Sequence, residues 1–88
     1  MNVLEKDREL AEKLVNFGGL CLLQARLELV HDHFDEAEKW AEEFLRCKRD
    51  LDELIKRKQR HDELVKIVEM MKARGVDIAL VVRKGNEQ

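Results

Sequence analysis

The chain contains no proline, serine, threonine or tyrosine. Proline is the strongest helix breaker, and serine, threonine and tyrosine favour caps, turns or strands. Without them the main punctuation is glycine, of which there are four in 88 residues. The remaining vocabulary is rich in Leu, Glu, Lys, Arg and Asp, with 41% of residues charged. That is the composition of long, charged helices. The same omission removes every side-chain hydroxyl, so no Ser, Thr or Tyr nucleophile exists here.

A chain of this length forms one domain and buries a small core. Self-association is a common way for such chains to gain buried area. The spacing predicts a mainly α fold. A short N-terminal helix is expected within residues 1–17, with Asn2 and Glu5 placed as in a capping box. Gly18-Gly19 is the clearest internal breakpoint, because glycine readily takes the left-handed conformation that ends helices.

A long coiled-coil-like helix is then expected over residues 20–74. Leu20, Leu23, Leu27, Val30, Phe34, Ala37, Ala41, Phe44, Leu51 and Ile55 alternate in steps of three and four, interrupted only by Lys48. Five heptads with apolar a and d positions make a seam that needs a second surface. Leu23, Ala25, Leu27 and Leu29 also alternate as a strand would, but Leu and Ala favour the helix. The seam fails in the polar run from Lys56 to Glu63, where the chain either kinks or turns back as a hairpin. Gly75, just after Lys72 and Arg74, reads as the helix stop. Residues 76–83 are dense in β-branched residues and read as one short strand, followed by a polar tail at 84–88. A lone strand must pair with a copy or a partner, or pack as a tail through Ile78, Leu80 and Val82.

Charge is unevenly laid out. Between Glu28 and Glu43 seven acids face only Lys39, a local sum of −6, whereas Arg46 to Arg60 sums to +4. Two copies laid antiparallel set acidic against basic halves, so an antiparallel homodimer or higher even oligomer is expected. The net charge of −2 argues against general nucleic-acid binding, although the basic stretch 46–60 keeps a small nucleic-acid-binding regulator as the alternative. No apolar run is long enough to span a membrane. Cys21 and Cys47 lack CxxC spacing and read as reduced thiols of a cytoplasmic protein, and the N-terminus, charged from Glu5, does not read as a leader.

His31-Asp32-His33 with Asp35 and Glu36 is the only metal-like cluster in the sequence. On a helix, residues two apart diverge, so one ion could take at most two of these ligands from a single chain, and a structural zinc site wants four. No metal, cofactor or catalytic group is assigned. Trp40, just off the seam, packs on another segment of the chain or anchors a partner. Asp35, Glu36, Trp40, Glu43, Ile78, Leu80 and Val82 are therefore the candidate partner-binding residues.

In its length, its charged helix from Leu20 to Met71 and its need for a partner, the chain resembles the very small regulatory proteins of temperate bacteriophages, antirepressors in particular. That resemblance implies a helical oligomer that binds a DNA-binding repressor and disables it without chemistry. It rests on general form and carries over no functional residue.

Overall fold

The computed structural model describes residues 1–75. A 3-10 turn, Glu5–Asp7, leads into helix α1, Arg8–Val30, and a three-residue connection leads into helix α2, Phe34–Ala73. The chain divides into two units, Met1–Lys58 and Gln59–Gln88.

The first unit is an antiparallel helical hairpin. The expected break at Gly18-Gly19 does not occur, and α1 runs straight through both glycines. Gly18 serves close approach instead. A Cβ there would lie 3.5 Å from Phe44 Cδ1 and 3.6 Å from Cys47 Cβ, so α1 rests directly on α2. The long helix expected from Leu20 is broken after Val30, and Leu20–Val30 is helix, not strand. Residues 56–63 are helical.

The turn is built from residues without the usual glycine. Asp32 sits at φ 61°, in the left-handed region that Asp enters more readily than most residues. The Asp32 N–H donates to the Leu29 carbonyl at 3.1 Å and the His33 N–H to the Glu28 carbonyl at 2.8 Å. These are the two bonds of a Schellman cap. The His33 ring adds a third tie, Nδ1 to Glu28 Oε2 at 2.8 Å. The Ala37 N–H then donates to the His33 carbonyl at 3.0 Å, and Asp35 and Glu36 occupy the first turn of α2, where the helix dipole favours acids.

The contact line on α1 is made mostly of small residues, with the half-buried Leu14 among them. Ala11, Gly18 and Cys21 are buried and Ala25 is half-buried. On α2 the line recurs every three or four residues, through Trp40, Phe44, Cys47, Leu51 and Leu54. At the open end Val3, Ala11 and Leu54 form the buried cluster, flanked by Leu14, Leu51 and Ile55. Asp7 closes that end. Its carboxylate is 6% exposed and accepts from Arg57 Nη1 at 3.0 and 3.2 Å. A buried carboxylate without such a donor would be strongly destabilising.

In the second unit the described residues are the last part of α2 and its end. Val68 and Met71 are half-buried, while Leu64, Val65, Ile67 and Met70 are exposed. The helix stops at Gly75 as expected, with φ 74° and its N–H on the Lys72 carbonyl at 3.0 Å. The expected strand 76–83, with Ile78, Leu80 and Val82, and the tail 84–88 lie outside the described residues.

Candidate functional site

Helical geometry sorts the side chains of the hairpin into faces. Residues that precede a contact-line residue by one are rotated about 100° to one side, and residues that follow by one are rotated to the other. In an antiparallel pair, equal rotations on the two helices lead to the same groove. Leu10, Leu14, Asp50, Glu53, Leu54 and Arg57 line one depression together, which establishes the first groove directly.

The turn separates the ten-residue seam expected from sequence into two sets. Leu20, Leu23, Leu27 and Val30 lie on α1, away from the contact line, and Phe34 opens α2. These five are 45 to 69% exposed. Ala37, Phe44, Leu51 and Ile55 are half-buried along the hairpin, and Ala41 is exposed. Helix α1 thus turns mostly small residues toward α2 and leaves most of its leucines outside. Covering half-exposed leucines is worth about 1 kcal/mol each, so this stripe is a substantial unrealised driving force. Monomeric proteins seldom display apolar patches of this extent without a binding role.

The candidate partner residues are partly brought together. Glu36, Trp40 and Glu43 line a single shallow depression with Lys39, Glu42 and Arg46. Asp35 is exposed beside it in sequence but does not line it. Trp40 is half-buried on the contact line, and Glu43 accepts from Arg46 at 2.9 Å. Phe17 and Leu20 precede Gly18 and Cys21 of the contact line, and Leu27 precedes the half-buried Glu28 two turns beyond Cys21, so by helical rotation they lie toward the same side of the hairpin as this depression. The α1 wall on that side carries Lys13, Phe17, Leu20, Gln24 and Leu27 in succession. The other is charged, with Glu36, Lys39, Glu43, Arg46, Asp50 and Glu53 in succession along α2.

The basic stretch is largely neutralised by its neighbours. Arg46 pairs with Glu43 at 2.9 Å, Lys48 with Asp52 at 2.7 Å, Lys56 with Glu53 at 3.7 Å and Arg57 with Asp7 at 3.0 Å. His31 and His33 have ring centroids 6.2 Å apart, and His33 is held by Glu28 within the turn. Among the described residues no three His, Cys, Asp or Glu groups come together as metal ligands would, and no helix is long and apolar enough to cross a membrane.

Cys21 and Cys47 are free, buried thiols on facing contact lines. Burial pushes the Cys21 thiol above the ordinary cysteine value, and the nearby Cys47 and Glu43 push it the same way. A thiol kept protonated is a poor nucleophile, so Cys21 acts as a small apolar residue.

No family model matches the sequence, and comparison with curated proteins and with solved structures finds no match. The site is therefore read from its own geometry.

Two features had escaped sequence reasoning. The inward line of small residues was masked by the louder leucine stripe on the same helix. The turn at 31–33 was masked because Asp, not Gly, takes the left-handed position.

Proposed function

We propose that this protein is a non-enzymatic interaction module, a self-associating helical hairpin that binds and restrains another protein. The observation that carries the reading is the outer face of the turn-proximal half of the hairpin, where Leu20, Leu23, Leu27, Val30 and Phe34 stay exposed while α1 meets α2 mainly through small residues. A chain optimised to stand alone would place its leucines inward.

The groove beside Trp40 suits a partner helix that is apolar on one side and basic on its flank. Such a helix would set apolar side chains on Phe17, Leu20 and Leu27 and basic ones against Glu36 and Glu43. A DNA-binding repressor, rich in basic helices, has this chemistry, and disabling one is the role that the resemblance to antirepressors implies. The local pairing of Arg46, Lys48, Lys56 and Arg57 speaks against direct nucleic-acid binding.

Trp40 is the only tryptophan and reports on the groove. Titration with a synthetic amphipathic Leu/Lys helix at low salt should shift its emission, and the double variant Glu36→Gln with Glu43→Gln should weaken binding several-fold. Emission that stays constant, or binding indifferent to both carboxylates, refutes the docking reading.

A further inference from the structure

Cys21 and Cys47 are the only cysteines of the chain, and both are free. They sit on the contact lines of α1 and α2, each buried against the opposite helix. Cys21 is 0% exposed and Cys47 5%. Gly18, one turn before Cys21, is where the helices come close. The Cys47 Cβ is 3.6 Å from the point where a Gly18 Cβ would stand. Residues three apart on one helical face have Cβ atoms about 5–6 Å from each other. The Cys21 Cβ therefore lies at most about 9 Å from the Cys47 Cβ. Gly18 has no side chain to hold α1 off α2, so a roll or slide of one helix on the other can close the gap to the roughly 4 Å that a disulfide spans between Cβ atoms.

We propose that Cys21 and Cys47 form a redox-responsive pair, which under oxidising conditions closes an intrachain disulfide that staples α1 to α2. The staple joins the helices of a single chain, so it is independent of the interaction-module reading.

The placement of the two thiols favours each other over any outside sulfur. Neither has another cysteine in the chain to pair with, and burial keeps the thiols of other molecules from Cys21. The residues stand 26 positions apart, across the turn at 31–33. Within the first unit the helices are otherwise linked covalently only through that turn, and the ion pair of Asp7 with Arg57 ties them at the far end. A bridge at Cys21 fastens the hairpin between these two points.

The co-reactant is a small disulfide such as glutathione disulfide. Cys47 is the less buried thiol and is reached first. Its thiolate attacks one glutathione sulfur, the glutathione S–S bond breaks, a Cys47–glutathione bond forms and one glutathione leaves as thiolate. Cys21, held protonated at rest by burial, then gives its proton to water and attacks Cys47 Sγ. The Cys21–Cys47 bond forms and the second glutathione leaves as thiolate. Two protein thiols are thereby oxidised, one glutathione disulfide is reduced, and the two protons released end on the two glutathiones. The firmly held proton slows the second step, and the high effective concentration of a thiol already facing its target offsets this.

Equilibration of the full chain in glutathione buffers, from fully reduced to fully oxidised, tests this. Free thiols are alkylated and the products weighed by mass spectrometry, once with native helical circular dichroism and once in unfolding urea. The native chain should lose both thiols together, become lighter by about two hydrogens and remain a single chain. A bridge that fits the native hairpin should form at least thirtyfold more favourably in the native than in the unfolded chain, and should raise the urea midpoint by roughly 1–2 M. Cys21→Ala should stop at a glutathione adduct on Cys47, and Cys47→Ala should leave Cys21 unmodified. A native chain that yields only glutathione adducts or interchain dimers overturns the pair. A bridge no more favourable native than unfolded, or one that lowers the urea midpoint, overturns the staple as a feature of this fold. Glutathione uptake by Cys21 as fast as by Cys47 overturns the order of attack.

Discussion

Replacing Gly19 by alanine separates two incompatible accounts of the N-terminal third. If residues 18 and 19 end a helix, one of them needs a left-handed backbone, and alanine there costs about 1–2 kcal/mol. In the structure Gly19 is inside α1, has no positive φ, and has nothing within 4 Å of the position its Cβ would occupy. Alanine then meets no obstacle and gains the full difference in helix propensity, about 0.8–1 kcal/mol. For a domain of this size that raises the melting midpoint by roughly 4–8 °C. Gly18→Ala should gain a similar amount, because its new methyl group meets Phe44 and Cys47 at 3.5 and 3.6 Å, ordinary contact distances. The assay is thermal and urea unfolding followed by circular dichroism at 222 nm, at one fixed chain concentration because association adds to apparent stability. A lower midpoint for Gly19→Ala would refute the continuous helix and restore the break at the glycine pair.

Two further outcomes follow from the turn and the buried thiol. Asp32→Gly should raise stability by up to about 1 kcal/mol by relieving the left-handed backbone, and Asp32→Val should lower it by about 1–2 kcal/mol, both read by urea unfolding; equal midpoints for the two variants would contradict the turn described. Cys21 holds its proton more firmly folded than unfolded, so below about pH 8.5 both states are protonated and nothing changes. Above that range the unfolded chain ionises first, and stability falls as pH rises until the folded thiol titrates too. Unfolding midpoints measured from pH 7 to 10 should show this fall in the wild type and a shallower one in Cys21→Ala; identical slopes would remove the thiol from the explanation.

The helical class was legible because Leu, Glu, Lys and Arg offer the backbone little alternative, and Gly75 was legible as a stop because a basic last turn precedes it. The hairpin was not. Glycine signals both a helix end and close helix contact, and only the tertiary contact of Gly18 with Phe44 tells them apart. His31-Asp32-His33 read as part of a continuous helix, yet the trio forms the turn between α1 and α2, with the His33 ring hydrogen-bonded to Glu28 and with Asp35 and Glu36 opening the next helix. The heptad count ran across the turn because three polar residues preserve the spacing of a, d and a. On α1, periodicity located an apolar stripe but could not say whether α2 or another molecule covers it. Grouping of Glu36, Trp40 and Glu43 around one depression was legible in outline, since these residues lie within two helical turns of each other.

The ion pair between Asp7 and Arg57 joins residues fifty positions apart, whereas the cap at 28–33 joins immediate neighbours. Closing a short loop loses less chain entropy than closing a long one, so the hairpin is expected to zip from its bend toward its free arms, with this clasp forming last. A contact absent at the folding barrier governs how long the native state survives, not how quickly it is reached. Stopped-flow traces of Arg57→Ala should accordingly show faster unwinding with an unaltered refolding limb; a slowed refolding limb would place the clasp earlier on the route.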